Sequence, residues 1–312
     1  MERECIIEGI RMRLMHLRNG CWTNARKLRA AVGLLLVIGS CVQYRLLSAG
    51  KRPQSEAPTS KPDPIAAYAT TDPPAPARDP YGLMVRSNPL GLLRVAQERY
   101  DRTVQDYVCT FSKQELLNGR LTAEQVTRVK FRERPFSVNM EWIKNADQAQ
   151  RAIYVEGKWT GENGEKLSVV EPAGAIARVF VNEVMRPIDG PDARKAARRR
   201  IDQFGFANSL RLIVKYCDLS AKRNELDLKY VGDSAVGERP TYVIERRSAY
   251  TGEEGVYPDH LLIVHLDKES LLPMCCISYA DEARTKLLGR YVFTDVKFNV
   301  GLTEGDFARE GE

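Results

Sequence analysis

The sequence predicts an α+β, mainly β domain: a curved antiparallel half-barrel of about eleven strands, with helices covering its concave face. Three observations predict it. From Val108 onward apolar residues recur at every second position, the period of a half-buried strand. Clusters of Gly, Asn and Asp separate the alternating runs. Only two segments between residues 87 and 309 carry a helical period.

The first helical segment opens the domain. Ser87 or Asn88 suits its N-cap, and Pro89 suits the first helical position, where a missing N–H costs nothing. Leu92, Leu93, Ala96, Tyr100, Val104 and Tyr107 then form one apolar stripe. The runs Val108–Leu117 and Leu121–Phe131 flank Asn118-Gly119, a strong hairpin signal. Phe136, Val138, Met140 and Trp142 alternate with Ser137, Asn139 and Glu141. Further strands are expected at 152–156, 167–170, 175–181, 226–231, 241–247, 261–266, 272–279 and 291–300. The second helical segment, Asp192 to Lys222, places Leu210, Ile213, Val214 and Cys217 at helical spacing.

Charge is distributed unevenly. The chain has 312 residues and a net charge of +6. Residues 1–50 hold eight basic residues against three acids, which accounts for five of those six charges. The remainder is near neutral, and an exported chain with a neutral body is not expected to bind nucleic acid. After a basic region over residues 1–29, an apolar segment lies within 30–47, its uncharged core running from Ala30 to Val42. Thirteen helical residues reach roughly 20 Å, short of a ~30 Å hydrocarbon core. A cationic flank before a short apolar run reads as a signal or anchor. Ile38-Gly39-Ser40-Cys41 matches a loose lipobox, so three outcomes stay open: lipidation at Cys41, an uncleaved membrane anchor, or plain cleavage. Each places the rest of the chain on the extracytoplasmic, periplasmic side. Eight of the sixteen prolines fall in residues 51–80, so 48–86 reads as a semi-rigid spacer ahead of a folded domain at 87–309.

Catalytic signatures are absent from the sequence. No Gly-rich phosphate loop, H-E-x-x-H or G-x-S-x-G occurs, and no cofactor is implied. The histidines are His16, His260 and His265, and the last two lie five apart around a strand, on opposite faces. No metal site follows from them. Cys109, Cys217, Cys275 and Cys276 are an even count that permits two disulfides in an oxidising compartment, with small buried hydrophobes as the alternative. Arg194, Lys195, Arg198, Arg199 and Arg200 form the domain's one basic cluster, read either as a solvated helix face or as a contact for anionic headgroups or a protein partner.

Two sets of residues carry a family resemblance. The first runs Asp106-Tyr107-Val108-Cys109-Thr110-Phe111, Asn118-Gly119, Val129 to Trp142, and Tyr154 to Gly157. The second comprises Asp267-Lys268, Leu272-Pro273, Tyr279, Tyr291-Val292-Phe293, Asp295, Asn299, Gly301-Leu302-Thr303 and Asp306-Phe307. Over about residues 90–308 the chain resembles an uncharacterised bacterial domain family related to the LolA/LolB lipoprotein-carrier superfamily. The resemblance implies a LolA-like half-barrel closed by helices around an apolar cavity for acyl chains. On that implication Phe111, Val129, Phe131, Phe136, Val138, Met140, Trp142, Ile153 and Val155 are the cavity candidates. The expected function is a tethered, non-catalytic binder of lipid acyl chains or lipidated protein. The alternative is a structural module of the cell envelope that binds a protein partner through its outer surface.

Overall fold

The computed structural model describes residues 79–174, 182–309, 311 and 312. The basic region, the apolar segment with Cys41, residues 48–78 of the expected spacer and the expected strand at 175–181 lie outside the described residues. Among the described residues no helix is long and apolar enough to cross a membrane.

In chain order the elements are α1 (Gly82–Ser87), α2 (Pro89–Thr103), β1 (Asp106–Leu117), β2 (Arg120–Leu121), β3 (Gln125–Arg132), β4 (Ser137–Lys144), β5 (Ala149–Val155), β6 (Leu167–Pro172), β7 (Val184–Pro187), α3 (Pro191–Ala196), α4 (Phe206–Lys222), β8 (Asp227–Val236), β9 (Arg239–Arg247), β10 (Leu261–Asp267), β11 (Pro273–Tyr279) and β12 (Leu287–Phe298). The strands form one open antiparallel sheet in the order β7-β6-β5-β4-β3-β1-β12-β11-β10-β9-β8, with β2 paired to β1. β1 stands in the middle, between β3 and β12, so the first strand is hydrogen-bonded to the last. Asn118 and Gly119, at φ 50° and 75°, make the two-residue turn that pairs Leu117 with Arg120. Both positive angles are what a type I′ hairpin turn requires. The strand β7 was not expected, because four residues are too few to show alternation.

Asn88 caps α2, its Oδ1 accepting from the Gly91 N–H at 2.8 Å, with Pro89 at the first helical position. Leu92, Leu93, Ala96 and Tyr100 bury the expected stripe. Folded structure begins earlier than residue 87. Val85 of α1 is fully buried, the Tyr242 hydroxyl donates to Asp79, and the Arg86 guanidinium lies 4.8 Å from the Tyr230 ring centroid. A six-residue helix offers too short a pattern to be read against a Pro-rich background.

The second helical segment is broken in three: α3, a 3-10 turn at Ile201–Gln203, and α4. Phe206, Leu210, Val214 and Cys217 of α4 face the core, one helical turn apart. Phe206 sits 5.0 Å from the Tyr107 ring and 4.4 Å from that of Phe293, wedging α4 into the sheet's inner face. α2 packs alongside, with an Arg94–Asp218 ion pair at 2.6 Å across the two helices.

On the opposite face of the sheet a closing strap follows β12. Phe307 is fully buried against Ile153, Val155 and Val169. Asp306 caps the 3-10 turn at Thr303 and pairs with Lys130 at 2.8 Å.

His265 of β10 pairs in register with Val243 and Cys275, and burial alone lowers its pKa to about 4. In the unfolded chain a histidine takes up its proton near 6.5. Between these values only the unfolded state is protonated, so stability falls as pH drops from about 6.5 to about 4 and then levels for this group. The expected contribution is on the order of 3 kcal/mol. Denaturant unfolding between pH 7 and 4 should show a shallower pH slope for His265→Gln; an unchanged slope would refute the assignment.

Candidate functional site

The inner face of the sheet and the segment from α3 through α4 enclose a cavity of about 430 Å³. Strand register builds its floor. Phe293, Phe111, Thr127 and Trp142 lie side by side across β12, β1, β3 and β4. Met140, Ala152, Val170 and Val184 continue it across β4 to β7. Asn208, Ser209, Leu212, Ile213 and Tyr216 of α4 supply the roof. They recur at three- and four-residue spacing on a face rotated from the helix's core stripe, so α4 serves both. Phe204, just before α4, closes an aromatic wall with Phe111 at 5.1 Å and Phe293 at 5.9 Å.

Polar groups stand at defined points on these walls. Glu115 is buried; it accepts from the Tyr291 hydroxyl at 2.8 Å and from Lys113 Nζ at 3.0 Å. Burial, and then the Glu115 charge, push the Tyr291 hydroxyl well above the usual tyrosine range, so it remains a donor. Gly289 makes room for this arrangement, since a Cβ there would lie 2.7 Å from the Tyr291 hydroxyl. Lys113 also donates to the Ala196 carbonyl at 3.2 Å, and Arg198 to the Leu288 carbonyl at 2.8 Å. These two bonds hold the α3 end of the roof to the sheet. Farther along, Arg246 of β9 pairs with Asp259 at 2.8 Å, both side chains almost wholly buried.

Three of the nine residues expected at the cavity line it: Phe111, Met140 and Trp142. Val129, Phe131, Phe136 and Val138 share that face of the sheet but pack into solid core, with Phe131 stacked on Tyr107 at 4.7 Å. Ile153 and Val155 point the other way. Register pairs Val138 with Tyr154 and Met140 with Ala152, so the residues between them fall on the opposite face under Phe307. A one-residue offset across a strand pair decides this, and alternation alone does not reveal it.

The basic cluster does not act as a unit. Arg194 donates to the Asp189 carbonyl, Arg198 is committed to Leu288, and Arg200 pairs with Asp202. Lys195 and Arg199 stay exposed, and Arg199 lines the cavity. The disulfides permitted by the cysteine count are not present: Cys109, Cys217, Cys275 and Cys276 are not bridged to one another. Cys109, Cys217 and Cys275 are buried apolar packing, and Cys276, on the other side of its strand from Cys275, faces the cavity. Burial pushes the Cys276 thiol up to about 12, which keeps it protonated and unreactive. Among the described residues no cluster of three or more His, Cys, Asp or Glu side chains is placed to hold a metal.

Sequence reasoning missed Phe293, Tyr291, Phe204, Arg246 and Leu212 as lining residues. The alternation Tyr291-Val292-Phe293 marks a buried strand face, but only the pairing of β12 with β1 puts it beside Phe111.

A family model described as "Protein of unknown function (DUF1571)" matches residues 104–312. No curated protein matches the sequence. Among solved structures, the chain is similar to MucB, with 17% identity and a TM-score of 0.42, over 72% of this chain and 64% of that one. It thus spans less than two thirds of MucB. It is also similar to the lipoprotein LppX of Mycobacterium tuberculosis (9% identity, TM-score 0.35, 70% and 97% of the two chains). A putative outer membrane lipoprotein-sorting protein domain from Vibrio parahaemolyticus is a third (13%, TM-score 0.28, 70% and 96%). The family match takes in every strand of the sheet and the closing strap, and the chain belongs to this family of domains.

Proposed function

We propose that the protein is a non-catalytic, extracytoplasmic binder of lipid or lipidated protein, tethered to the membrane by its N-terminal segment. The cavity carries this reading. Its volume of about 430 Å³ lies within the ~300–1,000 Å³ of typical ligand sites. An apolar cavity of about 150 Å³ already suffices for benzene. Phe111, Phe293, Phe204, Met140, Trp142 and Leu212 offer a surface on which an acyl chain would lose its contact with water. Each buried methylene would contribute about 0.8 kcal/mol. The basic flank, short apolar run and Pro-rich stretch support export and tethering, with the domain held away from the bilayer. Glu115 is engaged by Tyr291 and Lys113 and the Cys276 thiol is held protonated, which supports binding rather than catalysis.

Filling the space tests the reading. Ala149 and Ala196 are half-buried and line the cavity, so tryptophan at either would occupy it without replacing a core side chain. The full chain, purified in mild detergent, is expected to carry acyl lipid detectable by mass spectrometry of its organic extract. Ala149→Trp and Ala196→Trp should each reduce the bound lipid by about tenfold, the effect of losing about 1.4 kcal/mol. Lipid-free protein, or lipid unaffected by both substitutions, would instead favour an envelope module that binds a protein partner through its outer surface.

A further inference from the structure

Building on the acyl-chain reading, we propose that the β9 end of the cavity binds the oxyanion head of an amphiphile, a carboxylate or phosphate, through Arg246 and Arg199. Arg246 is the largest fully buried side chain in the described domain. Of its five N–H donors, Nη2 reaches Asp259 Oδ1, while Nε and Nη1 are buried with no oxygen or nitrogen acceptor among the described residues. A guanidinium that desolvated carries a cost unless its remaining donors find partners. Its neighbours do not serve. The Tyr216 ring offers a π face at 5.5 Å, and the adjoining Cys217 thiol is a weak acceptor.

The side chain belongs to the cavity wall. Register sets Arg246 beside Leu262, and Leu262 beside Ser278, and all three line the space. Cys276, one step along the same face, lines the same space, as does Arg199.

Charge pairing favours an anion there. Lys113 is matched by Glu115, Arg186 by Asp192, Arg200 by Asp202 and Arg246 by Asp259. Arg199 has no ion-pair partner among the described residues. Asp147, an acid on the wall with no ion pair among the described residues, lies on the β4–β5 loop, across the sheet from β9. A head bearing two or three acceptor oxygens at Arg246 would answer the unsatisfied Nε and Nη1 donors and balance Arg199. Its chain would then run over Phe293 and Phe111 toward Trp142. Oxyanion recognition by guanidinium is also geometrically favourable, since planar donors match planar or tetrahedral oxygen pairs.

The test uses the full chain kept in solution by an uncharged amphipol and three fluorescent probes of equal chain length: an alkyl carboxylic acid, its methyl ester and an alkyl phosphate. At least one anionic probe is expected to bind about tenfold tighter than the ester. Whichever leads assigns the head as carboxylate or phosphate. Arg246→Met should bring the anion-to-ester ratio close to one, and Arg199→Gln should reduce it by about threefold, less because that residue is exposed. Arg246→Met/Asp259→Asn removes both buried charges together, so a lone acid is not left inside, and it should lose the same preference. Equal binding of acid, phosphate and ester by the unaltered chain overturns this proposal and leaves the acyl cavity standing. Binding of none of the probes overturns the acyl-chain reading itself. Loss of ester binding along with the anions in both Arg246 variants would show a structural ion pair and refute headgroup recognition.

Discussion

Replacing Asp106 by alanine is expected to lower the unfolding free energy by about 3–5 kcal/mol. The carboxylate is buried and accepts three consecutive backbone donors: Val300 N–H at 2.7 Å, and Gly301 and Leu302 N–H at 3.2 Å each. Hydrogen bonds to a charged group contribute about 1.5–3 kcal/mol apiece. The sum falls short of three such bonds because Val300 is partly exposed, so water can serve some of the freed donors. The loss spreads beyond the strap. These three amides set the direction in which the chain leaves β12, turning through Asn299 and Gly301 at φ 54° and 78°. That direction delivers Phe307 to its pocket beneath Ile153 and Val155. Asp106→Asn keeps one acceptor oxygen and should lose roughly half as much. Denaturant unfolding followed by tryptophan fluorescence would measure both. A loss below about 1 kcal/mol for the alanine variant would mean that Phe307 alone holds the strap.

Gly205→Val is expected to destabilise the fold by about 2–6 kcal/mol and to abolish ligand capture. Gly205 sits immediately before α4 at φ 104°, a region that β-branched residues avoid. A Cβ built there would meet the Tyr107 hydroxyl at 3.0 Å and the Phe131 ring at 3.1 Å. Backbone strain of about 1–3 kcal/mol and overpacking of similar size both follow. Relief requires α4 to rise from the sheet, carrying Phe206 out of its contacts and Leu212 and Tyr216 off the cavity roof. Gly205→Ala should show the same direction with a smaller loss. Valine tolerated with unaltered stability and lipid content would contradict the close approach of this turn to Tyr107.

Both predictions concern residues whose types were visible from the beginning but whose partners were not. Asp106 and Gly301 both lie within the family pattern, yet they stand nearly two hundred positions apart. Their contact exists only because β1 and β12 are neighbours in the sheet. Gly205 drew no notice in the sequence, because a glycine before a helix is common and nothing local reveals that two aromatic rings crowd it. The expected cavity set illustrates the same limit. Phe111, Met140 and Trp142, named as candidates on the family resemblance, lie on the cavity wall; Ile153 and Val155 obey an equally good alternation on the other face.

What the sequence by itself determined is the β-rich class, the hairpin at Asn118-Gly119, the capped helix from Pro89, most strand positions and the family. These rest on interactions within a few residues: the period of side chains along a strand, the positive φ of a turn, and the cap of a helix end. Only the tertiary structure decided which amphipathic face became solid core and which became a cavity wall. It also committed three of five clustered basic residues to internal bonds, and brought Arg246 and Arg199, far apart in sequence, to the wall of one cavity. The physical reason is that burial depends on what lies across the sheet and above it. Strand register and the height of α4 set both, through contacts between residues far apart in the chain.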